Sequence, residues 1–138
     1  MRVVQLSESL SVSDQITPAD VAAIAAAGFK ILINNRPDNE VRGQPGSDEI
    51  SAAAETAGLA YYHLPVTAWD FPAFDFQQMA GLINSSETPA FAFCRSGTRC
   101  TNLWVATRDP EQRDASVVHA RQLGYDVSMA LSQSGSRS

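Results

Sequence analysis

The sequence predicts an α/β fold: one domain with a mainly parallel central sheet and helices on both of its faces. Two observations carry this expectation. Short apolar runs of strand length, such as KILINN at 30–35 and PAFAFC at 89–94, are apolar on successive residues, as strands buried on both faces are. Between them lie segments with helical spacing that open on capping residues and close on glycine. The chain has 138 residues, which suits a single core and one domain over 1–131, with SQSGSRS at 132–138 expected to be a disordered tail.

In chain order, RVVQL (2–6) and SVSDQI (11–16) read as short strands. TPADVAAIAAAGF follows as a helix, with Thr17 as its cap, Pro18 in the first turn, Val21, Ile24 and Ala25 on one face, and Gly28 at its end. KILINN is the next strand, and RPDNEVRGQPG (36–46) is a polar loop punctuated by Pro and Gly. SDEISAAAETAG (47–58) carries Ile50, Ala53, Ala54 and Ala57 on one helical face. LAYYHLPV (59–66) is a strand, TAWDFPAFD (67–75) a loop, and FQQMAGLINSS (76–86) a helix with Phe76, Met79 and Ile83 inward. PAFAFC is the last buried strand, with Phe91 and Phe93 assigned to the core. Helices are expected from about residue 100, where Leu103 and Trp104 face inward, and over 113–126.

The formal net charge is −5, so the chain as a whole gains nothing from nucleic-acid phosphates, and nucleic acid is not an expected partner. No apolar run reaches the roughly 18 residues of a membrane span. MRVVQLSESLSV lacks the apolar region of a signal peptide, and the two cysteines do not form a disulfide framework. The expectation is a cytoplasmic protein with reduced thiols. Its two histidines, His63 and His119, fall on different elements and are expected to be structural. With no Cys or His at ligand spacing, neither a metal nor another cofactor is expected.

The chemistry concentrates in Cys94-Arg95-Ser96-Gly97-Thr98-Arg99. In a parallel sheet, sites form at the carboxyl ends of strands, where Cys94 falls. The loop after it runs into a helix N-terminus, whose unpaired N–H groups and partial positive charge favour anions. Gly97 permits a tight turn, Ser96 and Thr98 add hydroxyls, and Arg95 and Arg99 add charge and hydrogen-bonding forks. A cysteine facing such a cluster loses its proton easily and becomes a nucleophile. The competing reading, a buried strand cysteine with no chemistry, is weighed down by the basic loop that follows it.

That loop, together with ILINNRPD at 31–38, GQP at 43–45 and GYD at 124–126, resembles the bacterial family described as the phosphatase-like domain of beta-lactamase hydrolase-like proteins, over residues 3 to 128 or so. The resemblance implies a fold similar to the dual-specificity and tyrosine phosphatases. It also implies a small anionic substrate, either a phosphoester or a sulfane sulfur donor. The loop departs from the phosphatase pattern of His-Cys, five residues, then Arg. Phe93 stands in place of the histidine, four residues separate Cys94 from Arg99, and Cys100 occupies the position where the phosphatase arginine falls. That spacing matches the loop of rhodanese-type sulfurtransferases. A third reading is an anion-binding or oxidant-sensing domain without turnover.

A cysteine phosphatase needs a proton donor for the leaving oxygen. Asp70 is the candidate, flanked by Trp69 and Phe71 as a possible hydrophobic lid, with Asp75 as an alternative that also suits a helix cap. Arg36 and Asp38 are expected near the same sheet edge, more as an Arg–Asp pair that fixes the loop than as substrate contacts. Cys100 is a candidate to resolve an oxidised Cys94, or is simply a helix residue.

Overall fold

In the computed structural model, residues 1–73, 75–84 and 87–135 are described, the side chains of 133–135 excepted. Five strands form one sheet: β1 (Val3–Ser7), β2 (Leu10–Ser13), β3 (Ile31–Asn34), β4 (Ala60–His63) and β5 (Ala90–Phe93). Their order is β1-β2-β5-β3-β4. Only the β1–β2 pair is antiparallel; β2–β5, β5–β3 and β3–β4 all run parallel. The α/β architecture with a mostly parallel sheet is therefore as expected.

The helices are α1 (Pro18–Ala26), α2 (Ser47–Ala57), α3 (Phe76–Ile83), α4 (Thr98–Thr107), α5 (Pro110–Gln122) and α6 (Ser128–Gly135). They divide between two apolar layers. One gathers Val21 and Ile24 of α1 and Ile50 and Ala54 of α2 over Leu32, Phe91 and Phe93 of the sheet. The other gathers Met79 of α3, Leu103 and Trp104 of α4, Val117 of α5 and Ala130 of α6 over Val12, Ile33, Ala90 and Ala92. The strand period of two produces this division: in β5, Ala90 and Ala92 face one layer while Phe91 and Phe93 face the other. Cys94 continues the alternation and joins the layer of α4.

Several boundaries differ from the sequence reading, each for a local reason. α1 begins as expected, with Thr17 and Asp20 forming a capping box. β4 is shorter than 59–66 because Pro65 has no N–H to donate, although Leu64 and Val66 still donate to the carbonyls of Asn34 and Asn35. α5 starts earlier than 113, with Asp109 at its N-cap and Pro110 in its first turn, and ends before Gly124, which adopts φ +96°. α6 has no counterpart in the sequence reading and runs into the segment assigned to a tail; residues 136–138 lie outside the described residues, as do Phe74, Ser85 and Ser86 within the expected 67–75 loop and 76–86 helix.

The parallel register sets the site. Ser13, Phe93, Asn34 and His63 stand side by side at the carboxyl ends of β2, β5, β3 and β4. The ladder extends one step further, as Asn35 N–H donates to Phe93 (2.9 Å) and Cys94 N–H to Ser13 (3.4 Å). Phe91 is 1% exposed and meets Phe29 edge-to-face at 5.3 Å between ring centroids. Phe91→Ala is expected to cost about 3–5 kcal/mol, the usual range for removing a buried aromatic, read as a lowered urea midpoint with an unchanged slope.

Candidate active site

The loop after β5 wraps around one sulfur atom. Gly97 adopts φ +88° and caps the N-terminus of α4. A Cβ there would lie 3.1 Å from the Tyr125 hydroxyl and 3.4 Å from the Ser13 carbonyl, so glycine meets both a conformational and a steric demand. With the turn fixed, the Gly97 N–H donates to Cys94 Sγ at 3.1 Å, and the backbones of Ser96, Arg99 and Cys100 help to pull its thiol down. α4 therefore starts at Thr98, two residues before the expected position, and its first turn belongs to the site. Thr101 Oγ1 donates to the Gly97 carbonyl at 2.8 Å and fastens the turn to the helix.

Cys94 is fully buried. Its thiol is nevertheless pulled down from the ordinary value to about 5. The largest cause is a hydrogen bond from the Cys100 thiol; burial opposes the shift, and the converging backbone N–H groups reinforce it. Cys100, fully buried beside this thiolate, is pushed well above the ordinary thiol value by desolvation first and by Cys94 second. The pair thus holds one proton on Cys100 and one negative charge on Cys94 near neutral pH.

Arg99 is held by a residue that sequence reasoning missed. Glu40, in the 36–46 loop, accepts from Arg99 Nη1 and Nη2, both at 2.8 Å, and from Arg36 Nε at 2.8 Å. Arg99 Nη1 also donates to the Val66 carbonyl at 3.0 Å. A guanidinium has five N–H donors, and these bonds occupy three of them at its far end. The Nε–H and the second Nη2 hydrogen form the side fork, which no hydrogen bond uses among the described residues. Arg99 is therefore clamped from behind with a two-donor face still to offer an oxyanion. The two guanidiniums hold the Glu40 carboxyl at about 2, with the hydrogen bond from Arg99 as the largest cause.

Arg36 and Asp38 do not pair with each other. Arg36, 3% exposed, gives Nε to Glu40 and Nη1 to Gln15 Oε1 at 3.0 Å, while Asp38 Oδ1 accepts the Ser47 N–H at 2.8 Å at the start of α2. The four-residue step to Glu40 lets the carboxylate reach Arg36, whereas Asp38 is drawn off by the helix N-terminus. Gln15 N–H donates in turn to the Arg95 carbonyl, so Arg36 reaches the cysteine loop through one intermediary. Gln44 of the GQP segment fixes the Glu40 backbone at 3.0 Å and the Pro37 carbonyl at 2.9 Å.

The other candidates divide. Arg95 and Ser96 are exposed, and Ser96 Oγ donates to Thr98 Oγ1 at 2.9 Å. Asp70 is exposed, and among the described residues only its backbone N–H is engaged, with the Thr67 carbonyl. Trp69 is 97% exposed, whereas Phe71 packs against the core, so the two aromatics do not form one lid surface. Asp75 stands at the α3 N-cap without a side-chain cap bond. His63 Nε2 bonds the Arg36 carbonyl at 2.8 Å, and His119 meets Trp104 edge-to-face, both structural contacts. Tyr125 and Asp126 of the GYD segment pack on Gly97 and cap α6, respectively. Among the described residues there is no group of three or more metal-ligating side chains, and no helix is long and apolar enough to cross a membrane.

Two measurements follow from this geometry. The Cys94 thiolate is expected to titrate with a midpoint about 5, read as ultraviolet thiolate absorbance in Cys100-intact protein, and Cys100→Ala is expected to move that midpoint upward because it removes the largest stabilising hydrogen bond. Glu40 has a folded value of about 2 against an ordinary 4.5, so its contribution to stability is complete above 4.5 and is lost as the pH falls toward 2. Glu40→Gln is expected to flatten the acid limb of stability in that window, measured by urea unfolding at stepped pH.

The relatives agree with this architecture. Residues 1–109 match the sequence profile of the family described as beta-lactamase hydrolase-like protein, phosphatase-like domain. A beta-lactamase hydrolase-like protein of Agrobacterium fabrum is 37% identical over 105 residues, covering 76% of this chain and 24% of that protein, so the chain spans about a quarter of that relative's length. The crystal structure of a candidate phosphatase from Neisseria meningitidis superposes with a TM-score of 0.75 at 38% identity, covering 92% of each chain. The structure of PTPMT1 in complex with PI(5)P superposes at 0.69 with 8% identity over 99% of each chain, a likeness of fold alone. On this match and these identities, the chain belongs to the phosphatase-like domain family of the beta-lactamase hydrolase-like proteins.

Proposed function

We propose that the chain is a cysteine-dependent phosphatase for a small phosphoester. The observation that carries this reading is the Gly97 N–H bond to Cys94 Sγ at the N-terminus of α4, beside an arginine with an open side fork. Donors already aimed at a charge cost no reorganisation when a further charge develops beside it. Arg36 and Arg99 against Glu40 leave one net positive charge, which the Cys94 thiolate balances; Arg95 at the rim supplies another for the incoming anion.

In this mechanism Cys94 attacks phosphorus and the ester oxygen departs with a proton. The N–H groups of residues 95–99 and the Arg99 side fork hold the three phosphoryl oxygens. The phosphocysteine is then hydrolysed and the thiolate restored. Asp70 is the proton donor in this scheme. Its carboxylate is exposed and lacks a hydrogen bond among the described residues, so the 67–73 loop must carry it inward over the loop.

The four-residue spacer between Cys94 and Arg99 supports a second reading, a sulfurtransferase in which Cys94 carries a persulfide. The N–H groups that surround Sγ would serve a terminal sulfur anion equally well.

An aryl phosphate assay, paired with intact mass after thiosulfate treatment, separates the two. The phosphatase reading expects phosphate release that vanishes in Cys94→Ser, falls about 10²–10³-fold in Arg99→Ala and falls about 10²-fold or more in Asp70→Asn. A gain of one sulfur on Cys94, with no phosphate release and no response to Asp70→Asn, would replace it with sulfur transfer.

A further inference from the structure

The far end of α4 carries side chains that the chemistry at Cys94 does not use. Trp104 lies in the second half of the helix, and Arg108 is its C-cap. With Leu6 of β1 and with Ser116 and His119 of α5, they line an open groove of about 400 Å³. Leu6 and Trp104, each 4% exposed, make its apolar floor. His119 adds an aromatic wall, edge-to-face with Trp104 at 6.2 Å between ring centroids. The Arg108 guanidinium lies over the indole, with Cζ 5.3 Å from the ring centroid.

Two donors on these side chains have no acceptor. Trp104 Nε1 and Arg108 Nε are buried and make no hydrogen bond among the described residues. Buried N–H groups are nearly always paired, so two orphans on adjoining side chains in one groove call for an acceptor from outside the chain. Arg108 is also free to swing: among the described residues its guanidinium bonds only Asn84 Oδ1.

We propose that this groove binds a small monocarboxylate with a flat apolar body, of the arylacetate class. Arg108 moves off the indole, and the carboxylate oxygens accept from Trp104 Nε1 and Arg108 Nε. The apolar body rests on Leu6 and the indole, beside the His119 ring. The chemistry of the lining selects this class. Two unpaired donors match the two oxygens of one carboxylate. The groove is lined by one guanidinium, Arg108, and one carboxylate, Glu111 at the exposed rim. Arg108 balances a single negative charge, whereas Glu111 opposes a second one, so a phosphate dianion suits the groove poorly. An apolar floor with a few polar groups on one side is the usual make-up of a small-molecule site. The groove lies about 15 Å along α4 from the Cys94 loop, so the assignment holds whichever reaction Cys94 performs.

The test is a titration of the full chain with phenylacetate, followed by ¹⁵N–¹H correlation spectra. The chain has two tryptophans, and Trp69, 97% exposed, serves as the internal control; Trp69→Phe assigns the two indole signals. The expected result is a downfield, saturating shift of the Trp104 indole N–H while Trp69 stays still. Phenylacetamide, which has the same shape without the charge, is expected to bind about tenfold more weakly, and Arg108→Gln to weaken phenylacetate by about tenfold. Glu111→Gln is expected to bind as tightly or more tightly, and Arg99→Ala, at the catalytic loop, to bind as wild type does. A Trp104 signal that does not saturate by about 10 mM overturns the proposal. So does equal binding of phenylacetamide, or an equal Trp104 response to inorganic phosphate. Loss of the shift in Arg99→Ala overturns it as well, because the carboxylate would then sit at the catalytic loop. The wild-type titrations decide the matter even where Arg108→Gln fails to fold.

Discussion

The site depends on the Gly97 turn. Its left-handed backbone aims an N–H at Cys94 Sγ and lets α4 begin one residue later, so that the N–H groups of the first helical turn converge on the same atom. Tyr125 sits against the turn where a Cβ would be, and Thr101 ties the Gly97 carbonyl to the helix. The charge on sulfur follows from what this turn brings beside it. Burial alone would raise the thiol; the Cys100 side chain, first, and the backbone groups of the turn, second, reverse that tendency.

A second layer keeps the loop in register with the sheet. Asn35, Val66, Arg99, Glu40, Arg36, Gln15 and Arg95 form a continuous hydrogen-bonded circuit across the carboxyl ends of the strands. The ends of the four parallel strands β2, β3, β4 and β5 all contribute to it, so the loop is positioned by the sheet edge rather than by one neighbour. Glu40 is the central link because one carboxylate serves two guanidiniums. Its removal leaves Arg36, 3% exposed, without a counter-charge, which is costly for a buried cation.

Much of this was legible in the sequence, for identifiable reasons. The apolar runs at 30–35 and 89–94 could only be buried parallel strands, and Thr17, Pro18 and Gly28 marked α1 at both ends. Cys94 through Arg99 were visible because a cysteine at a strand end followed by small and basic residues has few structural explanations. Glu40 was not visible: it lies 54 positions from Cys94 in a polar loop, and one acidic residue among such neighbours carries no local signal. The Arg36–Asp38 pairing failed because sequence proximity does not show that a helix N-terminus competes for Asp38. α6 was missed because SMALSQSG has the composition of a tail, and its start is fixed from outside, by Asp126 at the Ser128 N–H and by Asn102 at the Ala130 N–H.

The alternation of β5 has a bearing on how this loop can change by mutation. Phe93 and Cys94 are neighbours in the chain but point into opposite layers, one against α1 and α2, the other against α4. The residue before Cys94 is therefore answerable to packing on the far side of the sheet and is insulated from the sulfur by the backbone itself. Substitution at 93 tunes how firmly the domain folds, while substitution at 100, in the first turn of α4, tunes the charge on the Cys94 sulfur. The two properties can drift independently, and phenylalanine at 93 leaves the environment of the sulfur at 94 untouched.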